Sequence, residues 1–302
     1  MDFIQYFLKY FIVIILLSNC SVNTKSPWIY HDNFENNNLT NYKFTNKQGS
    51  IKRSLYKIVK EKNGNHFLKI TVKKNINVDK AVVIGKKDSN TERAELSLPG
   101  KNAINKIVWF GFRFRIPKDF KFTKNRLLIS QFKHQFKNMK KGPLLGIRFY
   151  DNGQRLNIGG LIGGTAYRGW SEKEANLYSK TIIYEKYWDG EWYPRLKYNS
   201  KNVKIPRPVL LKIDKNVWTT FKIGLYTTRS ENGFVKVYQD NNLIYEYNGP
   251  TFKWTGSYLE TVARIGPYRH SCTKNYECFD QTLHYDDYTL ANTKRELDDI
   301  LK

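Results

Sequence analysis

The chain has 302 residues, 40% of them hydrophobic, which is enough for one large core rather than a string of small modules. Lys and Arg number 51 against 27 Asp and Glu, a formal net charge of +24. A field of that sign repels cationic ligands and concentrates polyanions; a Lys- and Asn-rich composition with no selected partner is the alternative.

Residues 3–19 form an apolar run interrupted by Gln5 and Lys9, short for a membrane span. At the N-terminus it reads as a secretory signal over residues 1–20, with a retained anchor as the alternative. It ends in Leu17-Ser18-Asn19-Cys20, which resembles a bacterial lipoprotein processing site with Asn19 in place of the usual small residue. Cys20 is then the lipidation position, and the protein is expected to be secreted, periplasmic or a cell-surface lipoprotein. A polar tether, 21–26, leads into a single domain over 27–302. Beyond Cys20 only Cys272 and Cys278 remain, and in an oxidising compartment this pair would close a small disulfide loop.

From Trp28 onward, short apolar or alternating runs are separated by Asn, Gly, Asp and Lys clusters. Strands are expected at 40–46, 66–73, 80–85, 92–98, 106–116, 126–134, 144–150, 155–160, 181–188, 217–227, 233–239, 242–247, 260–266 and 282–290. In 106–116, Val108, Phe110, Phe112, Phe114 and Ile116 alternate with Trp109, Gly111, Arg113 and Arg115, which buries one face and points cations from the other. Phe234 to Tyr247 reads as a hairpin turning at Asp240-Asn241-Asn242. Helix is expected at 172–178 and over 292–301, the latter capped by Asn292 or Thr293 with Glu296 behind. Many strands without intervening helices imply an all-β sandwich of jelly-roll, concanavalin-like form with a short C-terminal helix.

The glycine-rich segment 159–170 lacks the Gly-Lys-Ser/Thr ending of a phosphate loop and suits a loop over a cleft, bringing Tyr167 to a ligand. Around Asp189 to Tyr198, Trp192 with its aromatic and basic neighbours suits a sugar-contacting surface or a packed hairpin.

Three stretches combine strand alternation with polar groups that a core would reject: Thr91 to Leu98, Leu127 to His134 and Ala263 to His270. Alternation puts Ile129, Gln131 and Lys133 on one face and Ser130, Phe132 and His134 on the other. The three stretches are expected to lie side by side as one site for an acidic sugar chain.

Hydrolysis of such a chain needs two carboxylates across the bond. Glu92 and Glu95, three apart, face opposite ways on a strand. Elimination asks for something else: donors to neutralise the carboxylate beside the C5 proton, and an acid and base at the C4–C5 bond. Arg93, Gln131, Lys133, His134, Arg264, Tyr268, Arg269 and His270 offer that set. Glu35, Asp286 and Asp287 could hold a structural calcium ion where the first and last strands meet, solvated strand-end acids being the alternative. No cofactor is otherwise expected.

Arg93-Ala-Glu95-Leu, Gln131-Phe-Lys-His134 and Arg264-Ile-Gly-Pro-Tyr268, followed by a closing strand His284 to Leu290, resemble the motifs of jelly-roll polysaccharide lyases. The glucuronan lyase and heparin lyase I group is closer in pattern than the alginate lyases. The resemblance implies that Arg93 and Gln131 hold the substrate carboxylate and that Tyr268 is the acid. The base is left open among His134, Lys133 and Tyr268. Lys133, Glu95, Arg264, Arg269, Tyr167 and Trp192 would line the substrate path. Arg264 stands where Lys is common. The implied partner is glucuronan, alginate or a sulfated glycan, not nucleic acid. The protein would act as a monomer touching membrane only through the N-terminal lipid. A non-catalytic carbohydrate-binding jelly roll and a charge-driven polyanion binder are the competing readings.

Overall fold

The computed structural model describes residues 30–44, 55–74, 78–80, 90–97, 106–123, 126–136, 143–150, 155–162, 180–187, 192–196, 212–228, 230, 232–249, 251, 258–270 and 279–302. The apolar N-terminal run with Cys20, the tether, Tyr167, the 172–178 segment and the Cys272–Cys278 pair lie outside the described residues.

In chain order the strands are β1 (Tyr30–Asp32), β2 (Lys43–Phe44), β3 (Tyr56–Lys60), β4 (His66–Val72), β5 (Val78–Lys80), β6 (Asn90–Arg93), β7 (Leu96–Ser97), β8 (Ile107–Arg115) and β9 (Leu127–Phe136). They continue with β10 (Pro143–Tyr150), β11 (Arg155–Ile162), β12 (Lys180–Tyr187), β13 (Trp192–Leu196), β14 (Trp218–Tyr226), β15 (Phe234–Gln239), β16 (Asn242–Asn248), β17 (Tyr258–His270) and β18 (Gln281–Ala291), before helix α1 (Lys294–Ile300). Sheet A runs β16-β15-β14-β8-β18-β4-β3 with β1 beside β18. Sheet B runs β13-β12-β11-β10-β9-β17-β6-β5, with β7 on β17 and β2 on β7. Every pairing is antiparallel. The result is the jelly-roll sandwich expected from the strand pattern.

The core lies between the sheets. Phe110, Phe112 and Phe114 from β8, Phe221 and Ile223 from β14, and Tyr285 from β18 meet Leu127, Phe132, Ile147 and Phe149 from sheet B, all essentially out of water. Two phenols tie the layers together: Tyr285 donates to the Ile129 carbonyl at 2.9 Å and Tyr288 to that of Ala263 at 3.1 Å. Gaining a bond for a buried hydroxyl removes a cost of about 1–3 kcal/mol.

The other face of β8 carries Arg113 and Arg115, as its alternation predicts. Arg115 pairs with Glu61 at 2.6 Å and lies over Trp218. On that side Trp109 packs under α1 against Leu297 and Leu301. Thr293 and Glu296 form the reciprocal capping box that starts α1. The β15–β16 hairpin turns at Asp240 and Asn241, at φ 47 and 66, a left-handed pair that Asp and Asn tolerate. Three strands had no clear alternation in the sequence: β1, β3 and β13. The β13 segment, which contains Pro194, pairs with β12 at the end of the strand order, the position where a proline is tolerated in a sheet.

Candidate active site

The site is built on sheet B from β6, β17, β9 and β10. Tyr268 stands directly opposite Arg93 on β6 and Leu128 on β9, and Leu128 stands opposite Arg148 on β10. In the neighbouring row Arg264 is opposite Gln131, which is opposite Gly146. Directly opposed residues share a face. An ordered set of guanidiniums, an amide and a phenol therefore occupies one side of the sheet, away from the core.

Two irregularities set this alignment. In β17 the ladder slips between Ile265 and Tyr268, at Gly266 and Pro267. Gly266 has φ +124, and a Cβ there would come within 2.1 Å of the Ala94 carbonyl oxygen. Only glycine permits so close an approach of the β6–β7 connection in that conformation. The Pro267 carbonyl then accepts from the Ala94 N–H at 2.9 Å. In β9 the ladder to β10 slips at Ile129. Ile129 is thereby turned into the core, fully buried, instead of sharing the Gln131 face as plain alternation had it.

Glu95 is the hub. It is fully buried, and its carboxylate accepts from Gln131 Nε2 at 2.5 Å while Arg264 and Arg93 approach to 3.6 and 3.9 Å. A buried carboxylate needs such partners. In return it holds three donors around one carboxylate. Arg93 also lies over the Tyr268 ring, Cζ 4.5 Å from the centroid.

Arg148 adds a cation that the motif reading missed. Its guanidinium lies over Gly146, where any Cβ would meet Nη2 at 2.8 Å. The signal was present in the sequence: Gly146 and Arg148 are two apart on a strand, so a missing side chain makes room for a long one on the same face. Arg126, just before β9, also reaches the Tyr268 ring.

Arg269 is a correction. It falls on the opposite side of β17 from Tyr268 and is fully buried. There it bonds Glu92 through Nε at 2.7 Å and Nη2 at 2.6 Å, and the Phe279 carbonyl and Gln281 through Nη1. It clamps the sheet and has no route to substrate. Glu92, as its spacing from Glu95 required, faces that same side.

Lys133 shares the parity of Gln131 and is half-buried. The ladder between β9 and β17 runs without a slip from Gln131 to Gln135, so position 134 has the opposite parity; the slip at Ile129 comes before Gln131 and leaves this relation unchanged. The side chains of His134, His270 and Trp192 lie outside the described residues.

Glu35 and Asp286, the expected calcium ligands, each have protein partners. Glu35 accepts from the His66 backbone at 2.8 Å and pairs with its ring, while Asp286 accepts from Asn65 and from the Asp287 N–H. Among the described residues no three His, Cys, Asp or Glu groups converge as a metal site. His31 contacts Thr289 and Asp287, and His284 accepts from Arg115; both lie on sheet A, away from the Tyr268 face.

A jelly roll presenting a donor-lined, cation-rich sheet face defines a protein that grips an anionic polymer. The sequence matches the polysaccharide lyase family over residues 34–288, and the chain belongs to that family. It is a polysaccharide lyase. Among solved structures it is similar to an endo-β-1,4-glucuronan lyase from the fungus Trichoderma reesei, at 13% identity and TM-score 0.57, covering 87% of this chain and 95% of that one. It is also similar to an alginate lyase solved with an alginate trisaccharide, at 11% identity and TM-score 0.50, covering 89% of this chain and 99% of that one. No curated protein matches at the level of sequence.

Proposed function

We propose that the protein cleaves a uronic acid-containing polysaccharide by β-elimination at the face built around Glu95. Arg93 and Gln131, supported by Arg264, hold the carboxylate of the sugar whose C5 proton is removed. As that proton leaves, charge builds on the carboxylate, and donors fixed in advance stabilise it without reorganising. The C5 electrons form the C4–C5 double bond, the C4–O bond breaks, and the departing oxygen takes a proton. Tyr268 is the proton-transfer group at this bond, with Lys133 as a further titratable side chain on its face. Arg148 and the positive charge of the chain extend the grip to neighbouring sugars.

The observation that carries this reading is the convergence of Arg93, Gln131 and Arg264 on one buried carboxylate beside Tyr268. Glucuronan and alginate are the polymers that the similar lyases act on and are the first substrates to try, with a sulfated glycan third. The N-terminal apolar run fits export to where such polymers occur.

The test is the ultraviolet absorbance of the new double bond on each polymer, for wild type and Tyr268→Phe. Wild type should form unsaturated product and Tyr268→Phe should lose at least about a hundredfold in kcat while still binding polymer. Polymer retention with no product from wild type at any load would instead make the protein a carbohydrate-binding jelly roll.

A further inference from the structure

The Tyr268 ring has a second guanidinium beside it. Arg93 lies with Cζ 4.5 Å from the ring centroid, and Arg126 with Cζ 5.0 Å from it. Arg126 precedes by two residues Leu128, which is directly opposite Tyr268, so strand parity puts both on one face. Arg93 also approaches the Glu95 carboxylate at 3.9 Å. The Nε of Arg126, like that of Arg93, is buried and makes no hydrogen bond among the described residues. An unbonded buried guanidinium nitrogen is costly, and Leu or Met would cover a tyrosine ring without that cost. A permanent charge at this spot calls for an electrostatic reason.

We infer that Arg126 is a positioning residue of the elimination: it holds the Tyr268 ring and stabilises negative charge on the phenol oxygen while its proton is away. This rests on the role proposed for Tyr268. Proton transfer through Tyr268, in either direction, passes through a state with charge on that oxygen. A second cation beside the ring lowers the energy of that state whichever substrate is bound. At this range, with partial solvent screening, one guanidinium is worth about a three- to tenfold effect.

The test uses Arg126→Gln and Arg126→Lys in the full chain, with Tyr268→Phe to identify the peptide. Tetranitromethane nitrates ionised phenols, so the nitration rate of Tyr268, read by peptide mass spectrometry, reports how strongly its surroundings favour charge on the oxygen. Arg126→Gln should slow nitration of Tyr268 about three- to tenfold, and Arg126→Lys should keep most of the wild-type rate. If Arg126 only packs on the ring, removing it uncovers Tyr268, nitration is unchanged or faster, and the inference is overturned. In kinetics, Arg126→Gln should lower kcat with little change in KM, and Arg126→Lys should recover most of kcat. A raised KM at unchanged kcat would make Arg126 a substrate-binding group and overturn the inference. A wild type that forms no unsaturated product refutes the elimination itself, and the nitration rates still decide whether Arg126 acts on Tyr268.

Discussion

In the elimination proposed above, Glu95 would serve the site by holding its donors. Its carboxylate gathers Gln131, Arg93 and Arg264 beneath the face they present. Glu95→Gln keeps the shape and removes the charge that orients the two guanidiniums. We expect kcat/KM to fall about ten- to a hundredfold, because small misplacements of binding groups are that costly, with only a modest drop in Tm. Glu95→Ala leaves buried donors without their acceptor and should destabilise by about 3–5 kcal/mol, measured by denaturant unfolding. The Arg-x-Glu spacing made the shared face of Arg93 and Glu95 legible in the sequence, since period-2 alternation requires it. That Glu95 would also meet Gln131 and Arg264 was not legible, because those contacts span 36 and 169 positions of chain.

Among the elements, β17 carries the most. Its slip at Gly266 brings Tyr268 opposite Arg93 and turns Arg269 inward to Glu92. Gly266→Ala meets both an unfavourable φ and a backbone clash, and should lower stability by more than about 1 kcal/mol and abolish product formation together. Arg269→Met strands Glu92 in the interior, a loss of about 3–5 kcal/mol, and the double variant Arg269→Met/Glu92→Leu should recover much of it.

Strand β18 makes a different prediction, in pH. Burial first, then Arg115 and Lys69, hold the His284 pKa down to about 3. A histidine kept neutral in the fold contributes stability that is complete above its unfolded value near 6.5 and is lost as pH falls toward 3. Burial first, then Asp287, pushes the Asp286 pKa up to about 7. A raised carboxyl has the opposite sign: its ionisation costs stability progressively as pH rises from about 4 to 7. The two slopes oppose each other in wild type. Between about pH 4 and 6.5, His284→Gln should show stability falling with pH and Asp286→Asn should show it rising, each by at most about 1.4 kcal/mol per pH unit. Denaturant midpoints across that range check this; parallel, flat profiles for both variants would refute it.

At the scale of the whole molecule, the net charge of +24 acts on encounter more than on chemistry. Long-range attraction of a polyanion is screened within about a Debye length, whereas the donors held by Glu95 work at contact. Raising salt toward about 0.5 M should therefore raise KM for a polyuronate several-fold and change kcat much less. Equal losses in both would place the charge dependence in the chemical step.

Local physics was enough to read much of this molecule. Alternation along β8, the Asp-Asn turn of the β15–β16 hairpin, the capping box of α1 and the three polar strands all follow from neighbours a few residues apart, so the all-β fold and its family resemblance were visible in the chain. What the folded molecule alone decided were the slips at Ile129 and Gly266, the burial of Arg269 and the placing of Arg126 beside Tyr268. A bulge inverts the parity on which any face assignment from sequence depends, and where it forms is set by how the paired strands pack rather than by the alternation of either strand alone.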